Sequence, residues 1–268
     1  MRRKVSVVLL TGGSSGIGAA AASMLAARGI KVYAASRSGK APEQEGIVPV
    51  SMDVNDQEAI DKTVKSIYEA EGKLDAVVCN AGNGIAGAVE DTSVEEIRYQ
   101  FETCFYGAVR VIDACLPIFR QQGFGKIITV TSVAGFIPIP FQAFYSSVKA
   151  ALLMLTKALS LEVKPFGIQC CSILPGDTKT GFTSARKYTA KAESGAYAHV
   201  MKRSIAKMEK DEQNGMPPER IARAICKQLS ARRMKATVTP RFDYRTIEIL
   251  SKLLPTRWVL SLVGKLYC

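Results

Sequence analysis

Short apolar runs rich in Val and Ile alternate with helical patterns along most of this chain. That alternation restricts the fold more than any single residue does. The runs cover 5–10, 31–35, 47–50, 74–79, 126–131, 168–174 and 236–239, and helical patterns cover 17–28, 57–70, 94–121, 144–164 and 218–231. Strands alternating with helices imply βαβ units and a parallel sheet. The reading is α/β, one doubly wound parallel sheet of about seven strands with helices on both faces. A chain of 268 residues is within reach of one α/β domain, and no internal repeat, low-complexity linker or composition break calls for a second. In such sheets ligands bind at the carboxyl ends of the strands.

The first strand runs into Thr11-Gly12-Gly13-Ser14-Ser15-Gly16-Ile17-Gly18, and a helical stretch follows. Strand, glycine turn and helix form the context of a phosphate-binding turn. Glycines let the backbone approach a pyrophosphate closely, and a helix N-terminus offers free N–H groups and partial positive charge. Further along stand Ser132 and Tyr145-Ser146-Ser147-Val148-Lys149. Side chains at i and i+4 share a helix face, so Lys149 sits beside Tyr145 and favours its phenolate. An ordinary tyrosine, with a pKa of about 10, is a poor base at neutral pH; a neighbouring cation lowers that value toward the range acid–base catalysis needs.

Taken in order, Thr11-Gly12-x3-Gly16-x-Gly18, Asp53-Val54, Asn80-Ala81-Gly82, Ser132, Tyr145-x3-Lys149 and Pro175-Gly176 resemble the motif set of the short-chain dehydrogenase/reductase family over about residues 3–240. The resemblance implies a single-domain Rossmann fold, with residues 1–240 catalytic, a substrate lid over about 178–215 and a helical tail over 241–268. It also implies an enzyme interconverting a ketone and a secondary alcohol. Ser132 would hold the carbonyl oxygen, Tyr145 would pass the proton, and Lys149 would depress the tyrosine pKa and grip the nicotinamide ribose. The dinucleotide would touch Gly12, Ser14, Ser15, Gly16, Ile17 and Gly18. Asp53 and Val54 would lie at the adenine, and Asn80, Ala81 and Gly82 at the adenosine. Pro175, Gly176, Thr178 and Thr180 would approach the nicotinamide.

Charge selects the cofactor. The second strand ends in Ser36-Arg37-Ser38, with no Asp or Glu to accept the ribose 2′-hydroxyl. A guanidinium binds phosphate bidentately, so NADP(H) is expected in preference to NAD(H). One position departs from the family pattern. Cys104 stands three residues before Gly107, where the family carries an Asn that helps hold a proton-relay water. A thiol is a weak donor and acceptor; either another group holds the water, or the enzyme is slower or specialised.

Residues 1–178 hold 17 basic and 17 acidic side chains, whereas residues 179–268 hold 19 and 7, so the whole formal charge of +12 lies in the second part. Arg186, Lys187, Lys191, Lys202, Arg203 and Lys207 fall in the lid segment. This basic half reads as solubility, as a field steering an anionic substrate or lipid, or as docking on an anionic membrane. The tail from Phe242 mixes Ile, Leu, Val and Trp258 with Arg and Lys around Pro255. It reads as an oligomer or core-packing tail or as an interfacial helix pair. No nucleic-acid module appears. Seven cysteines without a CxxC pair point to reduced thiols and a cytoplasmic setting, with peripheral membrane contact left open. One histidine, His199, makes a Cys/His metal site an unexpected choice.

Apolar and aromatic residues after Ser132, among them Phe136 and Phe141, together with Phe182, are expected to line a pocket for a hydrophobic carbonyl or alcohol: a steroid, bile acid, retinoid or lipid. The hydroxysteroid and retinol dehydrogenase branch resembles the chain most, with reduction of an acyl dihydroxyacetone phosphate as an alternative. A non-catalytic NADP(H)-binding sensor or scaffold is the alternative of another class. Family likeness implies a homodimer or homotetramer paired through the helices over 94–121 and 144–164.

Overall fold

Strand β1 (Val7–Thr11) opens the computed structural model, which describes residues 4–268; the basic Met1-Arg2-Arg3 start lies outside the described residues. Helix α1 (Gly16–Ala26), β2 (Lys31–Ser36), β3 (Ile47–Ser51), α2 (Gln57–Glu71) and β4 (Ala76–Cys79) follow. After the short β5 (Ile85–Ala86) come α3 (Val94–Phe101), α4 (Gly107–Gln122), β6 (Gly125–Val130), α5 (Ala143–Glu162) and β7 (Ile168–Ile173). The last part holds β8 (Lys187–Tyr188), α6 (Ala198–Gln213), α7 (Pro218–Ser230), β9 (Thr237–Val238), α8 (Phe242–Leu253) and α9 (Thr256–Tyr267).

Seven strands form one sheet in the order β3-β2-β1-β4-β6-β7-β9, every pair parallel. This is the expected single-domain Rossmann arrangement. Parallel strands are covered on both faces and so read as near-continuous apolar runs; all of β1 and β6 is buried, with Thr11, Lys126 and Thr129 the polar members. Their alternate side chains feed two cores. Val7, Leu9, Val77 and Ile127 meet α2, α4 and α5, whereas Val8, Leu10, Val78 and Ile128 meet α1 and α7. All seven cysteines are free, six of them buried.

The single helix expected over 94–121 is interrupted. Between α3 and α4 lies a π-helical turn, Glu102–Tyr106, where the Gly107 N–H bonds back to Glu102. Gly107 lets this part of the helix pass close to the Asp53-Val54 segment, because a Cβ there would come within 2.7 Å of a Val54 methyl. Two other features escaped the strand–helix pattern. Strands β5 and β8 pair in parallel over two residues each, too short to show a period. Helix α6 is dominated by charge, yet Met201, Ser204, Ile205 and Met208 form its buried face. No helix among the described residues is long and apolar enough to cross a membrane.

Candidate active site

The sheet order reverses between β1 and β4: β2 and β3 lie on one side, β6 and β7 on the other. A crevice opens at the carboxyl ends of strands at such a point. Here β1 ends in the glycine turn. Gly12 and Gly16 take φ +69° and +53°, a region open to glycine at no steric cost. Gly18 is needed for a different reason, since a Cβ there would stand 2.0 Å from the Gly12 carbonyl oxygen. Ser15 caps α1 without a side-chain bond, and no acidic residue occupies the first turn. The N–H groups of that turn therefore remain available to an anion. Asn80 fixes the turn to β4: its Nδ2 donates to the carbonyls of Thr11 and Gly12, both at 3.1 Å. Thr11 Oγ1 in turn accepts the N–H groups of Asn80 and Ala81 at 3.1 Å.

Ser132, Tyr145 and Lys149 meet beyond the ends of β4 and β6. Ser132 follows β6, its Oγ accepting the Ala134 N–H at 3.1 Å, while the Val133 N–H bonds the Pro175 carbonyl at 2.8 Å. Helix α5 brings Tyr145 and Lys149 onto one face, with the Lys149 Nζ 5.6 Å from the Tyr145 ring centroid. Lys149 Nζ donates to the Val130 carbonyl at 3.1 Å, so the ammonium is anchored on backbone. Burial pushes the Tyr145 phenol above its ordinary range, opposed by its hydrogen bond with Ser132; Cys104 and Glu212 add to the rise, and Arg186 works against it. Burial lowers the Lys149 ammonium, with Cys104 opposing. Tyr145 is half-buried and lines the cavity.

Cys104 is not isolated at the π turn. Its sulfur accepts the Asn83 N–H at 3.3 Å and the Gln100 Nε2 at 3.2 Å. Gln100 is fully buried, donates to the Asn83 carbonyl at 2.9 Å and its Oδ1 at 2.8 Å, and accepts the Ile85 N–H at 2.8 Å. A Cβ on Gly82 would lie 3.5 Å from Cys104 Sγ and 3.7 Å from Lys149 Nζ. An Asn83–Gln100 amide pair thus stands beside the thiol and next to the lysine.

From the glycine turn a continuous cavity of about 820 Å³ extends past Tyr145 to the underside of α8 and α9. At the turn end Ser36 and Arg37 line it; Ser36 Oγ donates to the Lys40 carbonyl at 3.0 Å, while Arg37 is exposed and joins no ion pair among the described residues. At the other end Phe182 lies over Tyr145, ring centroids 5.6 Å apart, and a Cβ on Gly84 would meet the Phe182 ring at 2.7 Å. Behind Phe182 the fully buried Arg186 side chain pairs with Glu212 and lies 3.9 Å from Glu209. With its amide oxygen turned toward Arg186, Gln142 accepts from Nε at 2.8 Å. Tyr244 of α8 bonds the Asp177 carboxylate and accepts the Asp177 N–H at 3.2 Å. A Cβ on Gly176 would stand 2.2 Å from the Tyr244 ring, so the first turns of α8 sit directly on the Pro175-Gly176 loop.

Residues 6–191 match the sequence pattern of the family described as short chain dehydrogenase. The chain belongs to the short-chain dehydrogenases. It is 40% identical over 223 residues to a 3-ketodihydrosphingosine reductase of Bacteroides thetaiotaomicron, covering 82% of each chain. It is 30% identical over 259 residues to a probable short-chain type dehydrogenase/reductase of Helicobacter pylori, covering 96% of each. Among solved structures, a short-chain dehydrogenase from Streptomyces avermitilis superposes with a TM-score of 0.82 at 28% identity, over 99% of this chain and 100% of the other. The protein is accordingly an NAD(P)-binding oxidoreductase of CH–OH and keto groups.

In this short-chain dehydrogenase the cavity wall includes Gly12, Ser14, Ser15, Gly16, Ile17, Asp53, Val54, Ala81 and Gly82, with Asn80 both at the wall and spent on the turn. Pro175, Gly176, Thr178 and Thr180 line it as well, and Thr180 packs where a Gly16 Cβ would be, at 3.2 Å. Some expected contacts lie off the wall. Gly18 supports the turn from behind, and Ser38 turns to accept the Lys40 N–H at 3.3 Å. Phe136 and Phe141 are the main corrections, for neither lines the cavity. Phe141 adopts φ +59° and packs instead against the small cluster of Ala86, Met201 and Met208. The basic lid is paired in part: besides Arg186, Lys207 bonds Asp211, while Arg203 donates to the Cys268 carbonyl, Lys187 lies 4.1 Å over the Tyr99 ring, and Lys191 and Lys202 are exposed. Gln100, Asn83, Gln142, Glu212 and Tyr244 were not singled out in the sequence. Only Gln100 carried a signal, standing four residues before Cys104 on one helix face.

Proposed function

We propose that the protein is an NADP(H)-dependent reductase of a long-chain lipid ketone, returning a secondary alcohol. The observation that carries this reading is the placement of Ser132, Tyr145 and Lys149 midway along a cavity whose far end is apolar, roofed by Ile247, Leu254, Val259 and Val263. A polar reaction centre with a long apolar extension suits a ketone borne on an alkyl chain. The likeness to a 3-ketodihydrosphingosine reductase supports a lipid ketone over a steroid or retinoid. Reduction of an acyl dihydroxyacetone phosphate has less support, because Arg186, the lid cation buried behind Phe182, is already paired with Glu212.

Bound nicotinamide supplies the hydride. The residues do the rest. The φ-positive glycines and the uncapped first turn of α1 cradle a pyrophosphate, and Arg37 holds a 2′-phosphate at the end of β2. Ser132 bonds the ketone oxygen. Tyr145, its phenol raised by burial, holds a proton at neutral pH and delivers it to that oxygen as charge develops there. Lys149 grips the ribose and, through its bond to Val130, fixes the depth at which the ribose sits. Residues 178–215 act as the lid, with Phe182 closing over Tyr145. The outer faces of the π turn and α5, with Tyr106, Met154 and Leu161 exposed, fit self-association as a dimer or tetramer.

The test is NADPH oxidation by the purified protein on a panel holding a long-chain 3-keto sphingoid base, an acyl dihydroxyacetone phosphate and steroid ketones. The sphingoid ketone is expected to give the highest kcat/KM. Preference for a steroid, or cofactor binding with no turnover on any member, overturns the reading. Arg37→Asp removes a charge-assisted contact of about 1.5–3 kcal/mol and should move the NADPH:NADH preference by roughly 10–100-fold; an unchanged ratio refutes the role of Arg37.

A further inference from the structure

Helices α8 and α9 have two apolar sides, and only one is used inside the molecule. No residue of α8 is buried, and α9 buries only Val263. On the inner side Ile247, Leu254 and Val259 close the cavity above Tyr145. On the outer side of α8 stand Phe242, Ile249 and Leu253, at i, i+7 and i+11, hence on one stripe. They are 80%, 50% and 75% exposed, and Trp258 at the start of α9 is 59% exposed. An apolar stripe of this size marks an interaction surface.

The surrounding charge identifies the partner. Both acidic residues of the pair are neutralised locally, Asp243 by Arg241 and Glu248 by Lys252. Arg245, Arg257 and Lys265 have no acidic partner among the described residues. Packing against a second copy about a two-fold axis would bring the same patch, with the same unpaired cations, against itself. An anionic bilayer instead accepts the apolar stripe and the tryptophan at its interface and neutralises the cations.

We propose that the α8–α9 pair is a membrane-docking roof: its outer stripe inserts into an anionic phospholipid surface, and its inner face admits the ketone from the bilayer into the cavity. The second half of this statement rests on the lipid-ketone reading above. The pair is held at its two ends. Tyr244 bonds Asp177 on the Pro175-Gly176 loop. Tyr267 packs against the cluster of Met201, Ile205 and Met208 on α6, and Arg203 donates to the Cys268 carbonyl. Between those tethers Glu248 accepts a hydrogen bond from Thr239 Oγ1 at 2.7 Å, and the inner apolar side chains supply the remaining contact with the cavity.

Vesicle flotation tests the docking with no ketone present. The full chain is mixed with phosphatidylcholine vesicles, with and without phosphatidylglycerol, at two salt concentrations. Binding is expected only with phosphatidylglycerol and is expected to weaken with salt. Each cation near the surface contributes about fivefold in partition, so Arg257→Glu/Lys265→Glu should lower it at least about 25-fold. Phe242→Ser/Leu253→Ser should abolish it, while the melting temperature and NADPH fluorescence titration of both variants stay at wild-type values. The proposal is overturned if the wild-type chain stays with the soluble fraction, or if either variant floats as the wild type does. It is equally overturned if the apolar variant changes the oligomer size of a wild type that binds no vesicles, since the stripe then belongs to a second copy. Flotation without turnover on the ketone panel would leave the docking standing and sink the catalytic reading; turnover without flotation would do the reverse.

Discussion

Tyr145→Phe separates proton delivery from everything else Tyr145 does. The ring contact with Phe182 at 5.6 Å survives the change, and so do the bond from Lys149 to Val130 and the glycine turn. What is lost is one hydroxyl and its hydrogen bond with Ser132. A typical intramolecular hydrogen bond contributes about 0.5–1.5 kcal/mol net, which for a chain of this size corresponds to a fall of roughly 2–6 °C in melting temperature. Removing a positioned general acid costs about 10²–10⁴ in rate, or roughly 3–5 kcal/mol of barrier. The two effects differ enough to be read independently. Single-turnover NADPH oxidation measures the loss of rate, and thermal melting with cofactor fluorescence measures the loss of stability and any change in binding. The expected result is a kcat at least about 100-fold lower, with NADPH affinity within about threefold of wild type because no cofactor contact of Lys149 or the turn has moved. If the variant keeps more than about a tenth of wild-type kcat while binding NADPH normally, another group supplies the proton and the assignment of Tyr145 fails.

The raised phenol also fixes the sign of the pH dependence. A group held above its ordinary range stays protonated at neutral pH, so ketone reduction should hold level from about pH 6 to 9, whereas alcohol oxidation should climb toward about tenfold per pH unit; a reduction rate that already falls between about pH 7 and 8 would contradict the burial effect. Cys104→Asn should leave kcat within about threefold, since the amide of Gln100 already serves Asn83 beside the lysine. A large gain in single-turnover rate would instead show that the thiol impairs proton passage. Lys126 is buried and donates to the carbonyls of Leu229 at 2.7 Å and Ala231 at 2.6 Å, closing the end of α7. Lys126→Met should cost about 2–4 kcal/mol and lower the melting temperature by roughly 5–15 °C; a shift under about 2 °C would mean those carbonyls are satisfied without it.

The parts of this molecule that could be read from sequence are those encoded over short distances. The central strands are buried along their whole length and mostly apolar because both their faces are covered. Gly12, Gly16 and Gly18 stand within one turn of each other, and Tyr145 and Lys149 are fixed four apart by the helix itself. The parts that escaped depend on partners far along the chain. Cys104 looked like a lost asparagine, and only the π turn and the approach of Asn83, 21 residues earlier, show an amide pair beside it. Phe141 looked like pocket wall, but its left-handed backbone turns it into the core beneath α6. The spacing of Lys149 set its position and left its direction open; a backbone carbonyl 19 residues upstream decided that.

Charge gives the plainest case of a property that a count cannot resolve. The +12 of residues 179–268 suggested a positive field over the lid, yet Arg186 meets Glu212, 26 residues away, inside the protein, and Lys207 meets Asp211 on the next helical turn. Pairing of this kind takes up two of the lid cations, whereas Lys191 and Lys202 stay exposed without an acidic partner among the described residues; on the terminal helices Arg245, Arg257 and Lys265 likewise face solvent, beside exposed Phe242, Leu253 and Trp258. Composition located the charge in the correct half of the chain. Only the fold shows that three of the unpaired cations, Arg245, Arg257 and Lys265, lie on the helices that roof the cavity, where attraction to an anionic surface and burial of an apolar stripe act on the same two helices.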